Sequence, residues 1–518
     1  MGLVLCDGQR TYPKFLNDIT RMRGNPVVLA FVAIFIFLHA ALAEEVLAAG
    51  TYIEARLSTP TGSRISHPGD PIQATVIAPV VVDGQVIIPQ GATLSGVVKT
   101  VERLGLGLKH LTATIEYLFE KVRFSDGKIV PIEARVIQVE TAKERVNTQG
   151  IIGGIYPTAN LSSTVAFYTL PFLCADPEFG VPVLGIKFLI ARSPDPEIYF
   201  PAGTEVILQL SSSADFPDPG VFQGRVANVT AAEAAGARRL LSELPRQRAD
   251  SGHNRASDLI NVLFVGNRES INRAFHAAGW SGAQRGSLLS LYRIYHCMVQ
   301  RMGYSMAPMR KLTLNGAKAD AEYQKSLNTF SKRHHLRLWK QGDQDVWLGA
   351  ATEDVGYEIR RMHVTHATDP LIDNERTKIL NDLVFTGCVD AASLINRTFV
   401  DSNEPGRLPG TDGKVALIRI NDCRTPRTTF SRDTKPESTP RSVQALLALR
   451  NDIVRSNPIS LASNTIRQLR HSQTARTSDA ASATNTSLRR AAFSNGDAQA
   501  RWIRPSVLDE TNVTIAAR

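Results

Sequence analysis

Between residues 50 and 210 apolar and polar positions alternate with period two. The runs are Tyr52-Ile-Glu-Ala-Arg-Leu57, Ile72-Gln-Ala-Thr-Val-Ile77, Thr93-Leu-Ser-Gly-Val-Val98, Thr112-Ala-Thr-Ile-Glu-Tyr-Leu118, Ile132-Glu-Ala-Arg-Val-Ile137 and Glu205-Val-Ile-Leu-Gln-Leu210. Such alternation, rich in β-branched residues and broken by Gly, Pro and Asp-Gly, predicts half-buried strands joined by tight turns. Asp83-Gly84 and Asp126-Gly127 mark hairpins. Ala49-Gly-Thr51, Gln90-Gly-Ala92 and Ala202-Gly-Thr204 each stand before a strand, where glycine lets the chain turn with positive φ. Residues 48–211 are therefore expected to form an all-β barrel or sandwich.

The pattern then changes. Ser211 to Gly220 is turn-rich, and residues 212–256 read as a linker with one short helix, opened by the capping box Thr230-Ala-Ala-Glu233 and stopped by Pro245. Beyond it comes the apolar strand 258–266, then a helix over 268–278 capped by Asn267 and ended by Gly279. A helix over 287–302 follows, with Leu288, Leu291, Ile294, Tyr295, Met298 and Met302 on one face, of which Met298 and Met302 read as ordinary packing. Strand-like segments at 311–315, 334–340 and 346–351 and a helix over 373–384 complete an α+β domain over 257–423. Its expected form is an antiparallel sheet with helices on one face. Residues 424–518 turn to Arg, Ser, Thr, Ala and Asn and predict a disordered basic tail, apart from a helix near 441–455.

The net charge of +10 would suggest nucleic acid until it is divided along the chain. Residues 1–43 carry +2 and residues 424–518 carry +8, which leaves the folded part balanced, so no specific nucleic-acid partner is expected. Arg21 and Arg23 precede the apolar run from Val27 to Leu38 and the small-residue pattern Ala41-Leu-Ala43. These are the parts of a signal peptide over 22–43, with residues 1–21 an over-long start; the other reading is an uncleaved anchor. Either way the chain is expected to be exported, to the periplasm or outer envelope. In an oxidising compartment Cys388 and Cys423 can close a disulfide. The apolar, glycine-rich stretch 151–192 reads as a membrane or subunit contact, or as packing on its own domain.

Asp258-Leu-Ile-Asn-Val-Leu-Phe-Val-Gly266, Ala277-Ala-Gly-Trp280, Tyr323-Gln-Lys325, Arg333-His-His-Leu-Arg-Leu-Trp339, Val346-Trp-Leu-Gly349 and Thr365-His366 with Asp369-Pro370, Asp373 and Glu375-Arg376 together resemble the LssY C-terminal domain family, over about residues 245–423. The family's biochemical role is undetermined, so the resemblance implies no reaction. Ser66-His-Pro-Gly69 and Ile88-Pro-Gln-Gly-Ala-Thr-Leu-Ser-Gly96 resemble the β-barrel domain of TrbI-type proteins of conjugation and type IV secretion channels, over about residues 48–145. That resemblance implies an assembly surface for envelope partners or for further copies of the chain.

Histidine, acid, arginine and tryptophan crowd between 319 and 389, and three readings of them stay open. His363-x-x-His366-x-x-Asp369 faces one side of a helix, which Asp369-Pro370 disfavours. On a loop, His366, Asp369 and Asp373 can meet His335 around a divalent metal with a place left for water, the arrangement of a hydrolase acting on a phosphorylated envelope or lipid substrate. A structural lock is the second reading, with Asp373 capping a helix, Asp369 holding a turn and Arg376 paired with Glu353 or Asp354. In the third, Arg333, His335, Arg337, Trp339 and Arg376 bind an anionic lipid or a phosphorylated envelope ligand. Strand alternation puts His335, Arg337 and Trp339 on one sheet face, chosen for the site, and His334, Leu336 and Leu338 on the other. Gly-x-Ser-x-Gly, a phosphate loop and a dinucleotide fingerprint are all missing, so no enzyme class is assigned.

Overall fold

A computed structural model describes residues 45–82, 85–104, 110, 112–141, 143–155, 195–216, 226–244, 248–251, 255–300, 303–328, 332–342, 345–360, 363–397, 410–427 and 446. The signal segment, most of the glycine-rich stretch and nearly all of the tail lie outside these residues.

The first region is a closed antiparallel barrel. Its strands are β1 (Tyr52–Leu57), β2 (Pro71–Val76), β3 (Thr93–Glu102), β4 (Thr114–Arg123), β5 (Ile129–Val139) and β6 (Glu205–Leu210), ordered β4-β3-β2-β1-β6-β5 with β5 returning to β4. The alternation is spent as expected. Ile53, Ala55 and Leu57 point inward beside Leu94, Tyr117, Phe119, Val136, Val206 and Leu208 in one core. Gly50, Gly91 and Gly203 all take positive φ, of 92°, 88° and 98°, so the recurring turn is one device used three times. Asp126-Gly127 makes the β4–β5 hairpin, with Arg123 opposite Ile129.

The second region is built on a mixed sheet. It contains β7 (Arg255–Val265), β8 (Ala321–Asn328), β9 (Lys332–Lys340), β10 (Val346–Arg360), β11 (His363–Thr368), β12 (Val389–Asn396) and β13 (Lys414–Ile420). Their order is β8-β9-β10-β7-β13-β12, with β11 also paired to β10. All pairs are antiparallel except β7 with β13, which run parallel. The α+β class is as expected, but the helices cover both faces. Helices α2 (Arg268–Ala277) and α4 (Ile372–Phe385) pack with Phe264, Leu336, Leu338 and Trp347. Helix α1 (Ala231–Glu243), whose Thr230–Glu233 capping box forms, brings Ala234, Ala237 and Leu241 to Ile260, Leu263, Trp339 and Leu348 on the other face. The expected linker helix is thus part of the second domain's core. Gly349 sits where a Cβ would lie 2.4 Å from Val262 Cγ2, which accounts for the glycine in Val346-Trp-Leu-Gly349.

One local expectation needs correction. Residues 363–368, read as a loop, form β11, because the residue before a proline favours extended backbone and His-Val-Thr-His-Ala-Thr is half β-branched. Helix α3 (Leu288–Gln300) forms where expected, with Leu288 and Leu291 87% and 62% exposed. The side chains of Met298 and Met302 lie outside the described residues. Cys388 and Cys423 form the expected disulfide, with Cα atoms 4.8 Å apart.

Candidate functional site

The densest chemistry lies where barrel and second domain meet. On β1, Ile53, Ala55 and Leu57 face the barrel core, so Glu54 and Arg56 must face outward. Glu205 on β6 stands opposite Arg56 in register. An outward charge on a barrel is ordinarily solvated. Here Glu54, Arg56 and Glu205 are all buried, because the second domain covers that face.

The covering surface is a row of sheet residues with a helix above it. Lys325, His334 and Glu353 are cross-strand neighbours on β8, β9 and β10, and therefore share a face. Above them runs α4, whose Glu375, Lys378 and Asp382 follow at three- and four-residue spacing and point along one side. Helix α4 is buried nearly all round, between its own sheet and the barrel.

Arg56 donates from Nε to Glu205 at 2.7 Å and from Nη2 to Asp382 at 2.7 Å. Lys378 Nζ reaches Glu205 at 2.5 Å, Glu54 at 3.3 Å and Asp382 at 3.4 Å. Lys325 joins Glu205 and, at 3.4 Å, Asp382, whose Oδ2 also accepts the Trp280 indole N–H at 3.0 Å. His334 is wholly buried, with Nδ1 2.7 Å from Glu375 and Nε2 3.5 Å from Glu140, which follows β5. The Arg56 guanidinium also lies 5.9 Å from the Phe385 ring centroid. Four cationic side chains from two domains thus interlock with five carboxylates.

Burial opposes every charge in this cluster, and the neighbours outweigh it at most of them. Asp382 would rise on burial, yet Lys325, Lys378 and Arg56 bring it down to about 2. Arg56, Lys325 and Lys378 likewise hold Glu205 well below the usual carboxylate range against its burial. His334 would fall on burial, but Glu375, Glu353 and Glu140 lift it well above an ordinary imidazole. Lys378 is raised in the same way by Asp382, Glu205 and Glu54. Lys325 differs: its burial, with Arg56 nearby, outweighs the acids and lowers it.

Two groups here bring potential metal-ligand atoms within 4.8 Å of one another, namely His334 with Glu353 and Glu375, and Glu54 with Glu140 and Glu205. The Lys378 ammonium stands against Glu54 and Glu205 of the second group, in the place a cation would take. In the first, His334 is already bonded to Glu375. In both groups a basic side chain of the protein already stands against donor atoms.

The residues singled out from sequence lie elsewhere, in separate small clusters. His335 Nε2 is 2.6 Å from Asp354, which Arg333 approaches at 3.6 Å, and burial lowers the His335 pKa. Arg337 is bound to Asp258 at 2.9 Å and to the Arg310 carbonyl at 3.0 Å. Trp339 is core, its indole N–H donating to the Ala317 carbonyl at 3.1 Å. Arg376 makes a two-pronged bond to Asp412 at 2.7 and 2.9 Å and also meets Asp373 at 3.1 Å; the partner is Asp412 and not the expected Glu353 or Asp354. Asp373 accepts from Thr411 and the Asp412 N–H and caps no helix; the cap position of α4 is Leu371, without a side-chain bond. Asp369 holds its turn as expected, accepting from the Leu371 N–H at 3.0 Å. His366 pairs with Tyr357 on β11, and its side chain lies outside the described residues. Among the described residues, His335, Asp369 and Asp373 do not form a metal-ligand group.

Sequence reasoning therefore chose the His335 side of β9, whereas the inter-domain network uses the His334 side. It also passed over Glu54, Arg56, Glu205, Lys378 and Asp382. One sequence signal pointed to them: α4 mixes Lys378 and Asp382 among Ile379, Leu380 and Leu383 without a clean polar arc, the mark of a helix covered on more than one side.

Comparison with known proteins adds a family to this geometry. Residues 241–415 match the family model described as LssY C-terminus. This LssY-like domain contains β7 to β12, α2, α3, α4 and every second-domain member of the network, and the match ends at the start of β13. Among solved structures the barrel-bearing chain is similar to ComB10 of the Com type IV secretion system of Helicobacter pylori, at 14% identity, covering 34% of this chain and 92% of that one with a TM-score of 0.19. A score of that size carries no conclusion. No match is found among curated proteins. No helix of the described residues is long and apolar enough to cross a membrane.

Proposed function

We propose that this chain is an exported, cell-envelope-associated binding and assembly protein, in which the barrel and the LssY-like domain work as one rigid unit. The observation that carries this reading is the buried network between them. A pair of domains that must open for a substrate would not be expected to bury four cations and five carboxylates at their seam, since parting them breaks the Arg56–Asp382, Lys325–Glu205, Lys378–Glu54, Lys378–Glu205 and His334–Glu140 contacts that cross it. Export is supported by the apolar run 27–43 behind its arginines and by the Cys388–Cys423 bond, which belongs in an oxidising compartment.

Within this reading the partner is a component of the envelope or a further copy of the chain, met through the barrel. An anionic ligand at Arg333, Arg337 and Arg376 is the finer form, and it must compete with carboxylates already bound there. The hydrolase reading needs His366 and a metal. Elemental analysis of unchelated protein, with phosphatase assays on wild type and His366→Ala, is expected to show no stoichiometric divalent metal and no activity that the substitution removes. Cell fractionation with N-terminal sequencing tests export: the expected product starts at Glu44 in the envelope fraction, and a cytosolic, unprocessed chain would contradict the proposal.

A further inference from the structure

Helix α3 turns its apolar side outward. Leu288, Leu291 and Tyr292, at i, i+3 and i+4, share one face and are 87%, 62% and 55% exposed; Leu289 beside them is 58% exposed. Ser290, on the opposite side, is the buried one, bonded to the Ser287 backbone. Among the described residues, none of α3 belongs to the three hydrophobic cores. A helix on a water-soluble surface puts its apolar arc inward. This one is inverted, and a contiguous apolar stripe of that kind marks a surface that something covers.

Charge says what covers it. From residue 270 to 319 the chain carries seven Lys and Arg and no acid, although the folded part as a whole is balanced. Arg285, Arg293, Arg310, Lys311 and Lys318 of this set are exposed. Leucines and tyrosine between exposed arginines are the composition of a helix that lies in the plane of a membrane, with its apolar face in the headgroup boundary and cations toward anionic lipid. At 13 residues, α3 is about 20 Å long, too short to span about 30 Å of hydrocarbon. A second copy of the chain fits less well, since it would set two surfaces of like charge face to face.

We propose that α3 docks the LssY-like domain onto an anionic bilayer surface. The inference stands on α3 and its basic surroundings and not on the inter-domain network, so either can fail alone.

The test is made on the full-length chain carrying Tyr292→Trp, read against wild type to subtract the native tryptophans. Vesicles of phosphatidylglycerol are expected to blue-shift the added emission, and brominated acyl chains to quench it; vesicles of phosphatidylcholine should do neither. Leu288→Asp with Leu291→Asp, and separately Arg285→Glu with Arg293→Glu, should each weaken the response by at least about tenfold. Both pairs are exposed, and circular dichroism of each variant is expected to match wild type. No emission change with phosphatidylglycerol, an equal change with phosphatidylcholine, or responses untouched by both variants would overturn the proposal. So would a dimer in sedimentation that Leu288→Asp with Leu291→Asp dissociates while lipid quenching is absent.

Discussion

The seam between the two domains and the outer face of α3 invert each other. At the seam, Arg56, Glu205, Lys378 and Asp382 are sealed from water, each at 3% exposure or less. On α3, Leu288, Leu291 and Tyr292 stand in water at more than half exposure. Polarity along each segment gives the direction a side chain takes relative to its own element, but what lies beyond that face decides burial. At the seam a charged face met a complementary charged face within the same chain. Among the described residues, no core closes over the apolar face of α3.

The largest expected effect breaks the seam. Lys378→Met leaves Glu205, Glu54 and Asp382 short of a cation, and should cost about 3–5 kcal/mol in urea unfolding. Replacing Lys378 and Glu205 together by apolar residues should recover much of that loss, because pairing is then no longer owed. Next comes the disulfide, remote in kind from either face. Reduction, or Cys388→Ser with Cys423→Ser, frees a 35-residue separation and should cost about 3 kcal/mol in the same assay.

Acid sharpens the contrast further. Asp382 lies near 2 in the folded chain against an ordinary 3.8, so its contribution is present above 3.8 and is lost as pH falls through 2, about 2 kcal/mol in all. His334 runs the other way. Its folded value is raised, so its contribution is complete below the unfolded imidazole value and is lost as pH rises through the folded one. Stability measured against pH should fall at both ends, and His334→Gln should flatten the alkaline decline. The smallest effect belongs to α3: Leu288→Asp should change stability by less than about 0.5 kcal/mol, since an exposed leucine contributes little to folding.

Much of this architecture was legible in the chain. The barrel could be read because its inward residues follow period two, and Gly50, Gly91 and Gly203 mark its turns. Thr230–Glu233 and Asn267 announced their helices, and Cys388 and Cys423 their bond. The seam was not legible, because Glu54 and Arg56 in an alternating strand look the same whether water or a second domain lies beyond them. For the same reason His335 and His334 could be assigned to opposite faces of β9, while nothing local said that the His334 face would meet the barrel. Helix α1 read as a linker for a related reason: the apolar residues it covers, Trp339 and Leu348, come about a hundred positions later. The periodicity of α3 fixed an apolar arc and left the direction of that arc open.

That barrel and LssY-like domain form one cooperative unit is tested most directly by changing one and watching the other. Of the four tryptophans, Trp280, Trp339 and Trp347 lie in the second domain and Trp502 near the C-terminus, and the barrel contains none. Glu205→Ala, on a barrel strand, should therefore move the urea midpoint of the tryptophan signal downward together with that of the far-ultraviolet signal. A tryptophan transition that stays at its wild-type midpoint while the barrel unfolds earlier would mean that the seam joins the domains without coupling them.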